Sequence, residues 1–294
     1  MSGPAAAPAG EERRAARWLV APALVALAVV AAYPLVAVIW LSLRRRMLVF
    51  GIDEWRGLDN FALLARDARF WNALWNTVYF AAVSVTAELA LGLGMAMALR
   101  RAFPGRALVR AAILVPWAIP GAVAAKMWQW LFMPGSGLID YVLARPDLDW
   151  LGSPTLALHA AIAADVWKTT PFVALLVLAG LETIPEDLYR AARVDGAGAL
   201  RTFFEVTLPL LRPALAVAAI FRTLDALRVF DAVFVLTGGG PANTTETLSI
   251  YAYKVLFQTL QFGYGSALAV VTFALVLVAS AILVRVLAWH GPAA

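Results

Sequence analysis

Ile184 to Pro213 reads IPEDLYRAARVDGAGALRTFFEVTLPLLRP, a long polar insert flanked by two membrane-length apolar runs. It carries its own helical grammar. Pro185 suits a first helical position, where a missing N–H costs no intrahelical bond. Glu186 and Asp187 set negative charge beside the positive end of a helix. Leu188, Ala191, Ala192 and Val194 follow at roughly helical spacing, and Gly196 offers a C-terminal stop. A second short helix is expected over 197–207, ending before Pro209. From these residues alone the insert is either a structured connecting loop or a docking element.

The rest of the chain says which solvent surrounds that insert. Of its 294 residues, 62% are apolar and only 15% charged, against about a quarter charged in a typical soluble domain. So much apolar surface cannot be hidden in a water-soluble core of this size. The chain has no cysteine, which excludes a disulfide framework and thiolate metal sites. A pI of 9.8 would suit a nucleic-acid binder, but the arginines cluster at the ends of apolar runs, so membrane topology accounts for them instead. An all-α polytopic membrane protein is expected. Its six spans fall at about 18–43, 71–99, 111–132, 155–181, 210–236 and 267–287, each long enough for a hydrocarbon core of about 30 Å. Residues 1–17 read as a disordered cytoplasmic tail closing on a basic anchor, residues 18–290 as the six-span domain, and 291–294 as a C-terminal tail. Basic residues favour both termini inside, which puts 184–213 in the cytoplasm. Arg44, Arg45 and Arg46 run against that rule.

Charges inside the spans are the candidate chemistry, since each centred one costs about 2.5–3.5 kcal/mol on insertion scales. Span four holds Asp165 and Lys168; span five holds Arg222, Asp225, Arg228 and Asp231; Glu88 and Lys126 sit in spans two and three. Both charged groups lie roughly 15–20 Å from their span ends, near the midplane. Steps of three drift by about 60° on a straight helix, so Arg222 and Asp231 share a face only if the helix bends or breaks. Two readings stay open. Asp165–Lys168 and Arg222–Asp225 can be internal ion pairs that tie the bundle, or a polar lining for a many-hydroxyl solute, with Trp167 and Phe172 offering flat faces. Glu88 and Lys126 read as structural. No phosphate-loop motif, no nucleophile–base pair and no metal spacing is visible, with His159 and His290 the only histidines. No catalytic or metal residue is therefore assigned. Gly238-Gly239-Gly240-Pro241 reads as a tight outer turn where backbones pack closely.

The insert also resembles the coupling loop of inner-membrane permeases of binding-protein-dependent ABC importers. That family carries Glu-Ala-Ala, then Asp-Gly, then a Leu-Pro close. Here the matching residues are Arg190-Ala191-Ala192, Asp195-Gly196 and Leu208-Pro209. Arg190 departs from the family's acid. Further likeness lies in Asn72-Ala73-Leu74-Trp75-Asn76-Thr77, Pro116-Trp117-Ala118-Ile119-Pro120, Trp167-Lys168-Thr169-Thr170-Pro171-Phe172, Phe221-Arg222-Thr223-Leu224-Asp225-Ala226 and Leu236-Thr237-Gly238-Gly239-Gly240-Pro241. These are similar to the carbohydrate-importing branch, and most of all to first permease subunits of actinobacterial trehalose importers.

The resemblance implies an ABC type I importer permease fold. It implies a second homologous permease, two ATP-binding subunits that use ATP and Mg, and an extracytoplasmic sugar-binding protein. The chain itself would hold no cofactor and would catalyse nothing. A coupling helix at 185–207 would meet an ATP-binding subunit through Leu188, Arg190, Ala191, Ala192, Asp195 and Gly196. Sugar would meet Asp165, Lys168, Thr169, Phe172, Arg222 and Asp225. An ion-coupled secondary sugar carrier, or a permease for another solute such as glycerol phosphate, is the alternative.

Overall fold

The computed structural model describes residues 9–145 and 148–288. The expected tail at 291–294, and His290, lie outside the described residues. Helix α1 (Ala9–Ser42) leads into an antiparallel hairpin of β1 (Arg44–Met47) and β2 (Ile52–Trp55). Helices α2 (Asp59–Arg66) and α3 (Ala68–Arg100) follow, then α4 (Arg106–Ile113), α5 (Val115–Ala118), α6 (Gly121–Leu131) and α7 (Leu138–Leu143). The second half runs α8 (Leu156–Glu182), α9 (Glu186–Val194), α10 (Ala199–Thr202), α11 (Leu208–Ala226), α12 (Asp231–Leu236), α13 (Leu248–Tyr253) and α14 (Phe262–Ala288). The short hairpin is the departure from an all-α chain.

Among the described residues five helices are long and apolar enough to cross a membrane, or six if one bent pair counts as a span. The bent pair is the expected span three. It is no straight rod: 106–118 and 121–131 meet at 91°. Pro120 explains the corner. A residue before proline is pushed out of the helical region, and Ile119 has φ −70 and ψ 132. Ala9 to Arg17, expected as disordered tail, instead begins α1, in keeping with its Ala, Glu and Arg content.

Two further expectations change around span five. The helix expected to stop before Pro209 runs on, through a π-helical turn over Phe203–Thr207 and into α11. Leu208 N–H reaches back five residues to the Phe203 carbonyl. The wider turn accommodates a proline that cannot donate. At its other end α11 stops at Ala226, well short of 236, and the chain restarts as α12 with Asp231 in its first turn. A π turn recurs further on, over Lys254–Gln258, where α13 ends.

The chain divides into two compact units. One ends at Leu64 and resumes over Val255–Val270; the other covers Ala65–Lys254 and resumes at Val271. In the first, the apolar stretch Trp18–Ser42 is mostly exposed and meets protein closely only at its end, where Ser42 is buried. In the second, α3 and α8 pack closely along their lengths. Small residues allow it, as they do wherever lipid removes the hydrophobic drive between helices. A Cβ on Gly92 would lie 2.6 Å from Val173 Cγ1, and Gly180 abuts the Ala214 side chain. Phe80, Ala161, Leu227 and Val233 form the centre of one buried cluster; Ala96, Val177, Leu181 and Leu211 form the centre of another.

Candidate translocation site

In the second unit, α3, α8 and α11 each bring a charge to one point. Arg222 of α11 is 3% exposed, and Glu88 of α3 has no exposure at all. Arg222 Nε donates to Glu88 Oε2 at 2.5 Å and Nη2 to Glu88 Oε1 at 2.9 Å. The same Nη2 donates to Asp165 Oδ2 of α8 at 3.0 Å, and Nη1 to Asp225 Oδ2 at 2.5 Å. Thr169 Oγ1 lies 2.8 Å from Glu88 Oε1 and 2.7 Å from its own helix's Asp165 carbonyl. A planar guanidinium with five N–H groups suits such a knot; a lysine ammonium would not. Buried charge is tolerable only when paired and hydrogen-bonded in this way.

A cavity of about 340 Å³ opens beside the knot. Its polar lining is Asp165, Lys168, Thr169, Arg222, Asp225, Arg228 and Asp231; Trp128 of α6 and Phe230 supply aromatic wall. The break after Ala226 is what lets Arg222 and Asp231 line one space. Their solvent access differs and so do their duties. The Asp165 side chain is 14% exposed and that of Asp225 53%, whereas Arg222 at 4% has its donors turned to carboxylates. Lys168 is half-buried and has no hydrogen bond or ion pair among the described residues.

Five of the six residues expected to meet solute thus line the cavity. Phe172 does not: it stacks on Trp117 at 5.6 Å and meets Phe221 edge-on. Of the two expected ion pairs, Arg222–Asp225 is present. Asp165 turns to Arg222 rather than Lys168. Glu88, read as structural, is the principal partner of Arg222. It lies 134 residues away in sequence, so no spacing pairs them. Trp128 was not anticipated, though its place two residues after Lys126 is visible in the sequence.

The insert that opened the sequence analysis forms α9, a turn and α10. Pro185 sits at the N-cap, Glu186 and Asp187 in the first turn, and Gly196 has φ +73, which only glycine adopts without strain. Leu188, Arg190, Ala191, Asp195 and Gly196 are exposed and Ala192 half-buried. Arg190 pairs with Asp187 of its own helix at 3.4 Å. Tyr189, missed in the sequence, anchors α9. The Arg100 guanidinium lies 4.1 Å over its ring and Thr207 Oγ1 donates to its hydroxyl at 3.3 Å.

Helices of membrane length that bring charged side chains to an open cavity, halfway along α8 and at the break between α11 and α12, have the architecture expected of a membrane protein that passes a solute. Residues 90–289 match the family described as binding-protein-dependent transport system inner membrane component. The chain belongs to that family, and it is a permease subunit of an ABC transporter. It is 43% identical over 282 residues to the trehalose transport system permease protein SugA of Mycobacterium tuberculosis, covering 96% of this chain and 91% of that one. It is 42% identical over 262 residues to the trehalose/maltose transport system permease protein MalF of Thermococcus litoralis, covering 88% of each. The sulfoquinovosyl glycerol transport system permease protein SmoG of Agrobacterium fabrum is 40% identical over 280 residues, with 94% and 91% covered. The fold matches a crystal structure of a bacterial ABC transporter that imports the acidic polysaccharide alginate. There the TM-score is 0.77 at 22% identity, over 93% of this chain and 98% of that one.

Proposed function

We propose that this chain is one of two permease halves of an ATP-driven importer for a disaccharide, trehalose or a close relative. The observation that carries the reading is the cavity at the α11–α12 break, where Asp165, Lys168 and Asp225 have polar capacity to spare while Arg222 is committed to its own carboxylates. Carboxylate oxygens and an ammonium pair well with sugar hydroxyls, and Trp128 can pack against C–H faces. The names of the three relatives support a glycoside as cargo.

In this reading both termini lie in the cytoplasm, and so does α9. A second homologous permease completes the pathway. Two ATP-binding subunits use ATP and Mg below, and an extracytoplasmic sugar-binding protein delivers the solute above. The chain needs no cofactor and performs no catalysis. ATP-driven closure of the motor subunits pushes on α9, and the bundle alternates between two packed states. Leu188, Arg190, Ala191, Ala192, Asp195 and Gly196 form the contact. Because Arg190 stands where the family has an acid, the motor subunit should present a carboxylate there.

The test is uptake of radiolabelled trehalose, maltose and sulfoquinovosyl glycerol by the reconstituted complex, with its binding protein and ATP. Trehalose uptake that stops without ATP is the expected result. Uptake driven by an ion gradient alone, or no uptake of any glycoside, would overturn it.

A further inference from the structure

The arginine run Arg44, Arg45 and Arg46 has no place in the translocation site and opposes the usual charge bias of membrane proteins. The first structural unit shows where it sits. The apolar stretch Trp18–Ser42 ends one residue before β1, and the apolar stretch Phe262–Val286 begins just after the hairpin's other contact. Leu48 N–H donates to the Leu260 carbonyl at 3.3 Å, Met47 bridges to Gln261, and Gly263 abuts the Arg44 carbonyl so closely that a Cβ would not fit. Asn60 Nδ2 ties down the Ser42 and Arg44 carbonyls at 2.7 and 2.9 Å. The hairpin is therefore fixed where one membrane-length helix ends and another begins, the position a membrane boundary would take.

Its composition fits that boundary and no aqueous one. The turn is Leu48-Val49-Phe50, residues 51%, 63% and 73% exposed, where a hairpin in water would carry polar turn residues. Trp40 and Trp55 pack at 5.2 Å on the approach, as interfacial tryptophans do. Two arginines are already matched: Arg44 to Asp53 at 2.7 Å and Arg56 to Glu54 at 2.8 Å. Arg45 and Arg46 are exposed, and their side chains have no hydrogen bond or ion pair among the described residues.

We propose that the hairpin 44–55 is a lipid-headgroup anchor, with Leu48, Val49 and Phe50 set into the bilayer interface and Arg45 and Arg46 holding the phosphates of anionic lipid. The pattern is that of an interfacial element, an apolar wedge beside basic side chains. It also accounts for Arg45 and Arg46 on the side where few arginines are expected. They meet lipid charge rather than water.

The chain has no cysteine, so Val49→Cys carries a single nitroxide label once the partner subunits are made cysteine-free. In the assembled complex in phosphatidylcholine–phosphatidylglycerol nanodiscs, the label should be relaxed by oxygen and shielded from a water-soluble nickel complex. A label open to nickel means the tip stands in water. A label shielded from both means it is seated in another protein. Either result overturns the proposal. With a fluorophore at the same position, brominated phosphatidylglycerol should quench in preference to brominated phosphatidylcholine by about fivefold per arginine. The R45Q/R46Q variant should abolish that preference. Equal quenching in the wild type, or an unchanged preference in the variant, would overturn the phosphate contact.

Discussion

Arg222 holds three carboxylates with one guanidinium, and that decides which substitutions test transport and which test folding. Arg222→Ala leaves Glu88 buried without its cation; Glu88→Ala leaves Arg222 likewise under-matched. Either should cost about 3–5 kcal/mol, read as a lowered melting midpoint of the purified complex and poor assembly. Lys168→Met is the informative opposite. The ammonium lines the cavity with no partner among the described residues, so stability should shift by no more than about 0.5 kcal/mol. Sugar-stimulated ATP hydrolysis should fall by about tenfold, as for loss of one charge-assisted hydrogen bond. An unchanged rate would remove Lys168 from the solute path. At this scale the sequence was informative about which residues are special, because charge inside an apolar run stands out. It found the local pair Arg222–Asp225 but not the partners distant in sequence. Asp165 and Lys168 are near in sequence, yet Asp165 joins a guanidinium 57 residues on, where a planar fork can satisfy several oxygens at once.

Elements were legible by length and illegible by shape. Apolar run length located the spans, since it reports the thickness of the bilayer. The corner at Ile119–Pro120 and the break after Ala226 depend on neighbours the sequence does not name. Pro120 did signal the first; Pro209 signalled a stop that a π-helical turn absorbed. The hairpin went unread because its arginines and apolar turn follow neither the strand alternation nor the usual turn chemistry. Close approach between elements can be tested at two glycines of α3. Gly92→Val must displace the Val173 side chain and should cost about 1–3 kcal/mol. Gly94 faces open space, with nothing within 4 Å of a built Cβ. Gly94→Ala should therefore be neutral or stabilising by up to about 1 kcal/mol, from helix propensity. Thermal unfolding of both variants in one detergent checks the pair; equal effects would contradict the packing described.

For the whole molecule, the coupling role proposed for the polar insert would make it a lever. Tyr189, held between Arg100 of α3 and Thr207 at the foot of α11, links α9 to two long helices of the second unit. In that proposal a push on α9 would be delivered to the bundle that carries Glu88 and Arg222. Deleting Gly196 to Ala199 removes the turn that sets α9 against α10 while sparing the cavity. ATP hydrolysis by the complex should continue, with sugar uptake reduced to background. Uptake at the wild-type ratio to hydrolysis would refute the lever.

The buried Glu88–Arg222 pair also has a consequence for how the chain is made. The ribosome must add 134 residues between its two members, about 7–27 s at ordinary rates of synthesis. For that interval α3 carries an acid whose cation does not yet exist. Nascent α3 should thus linger beside the insertion machinery until α11 is released. Crosslinks from a photoreactive residue in α3 to that machinery should fade early in an E88A chain and late in the native one.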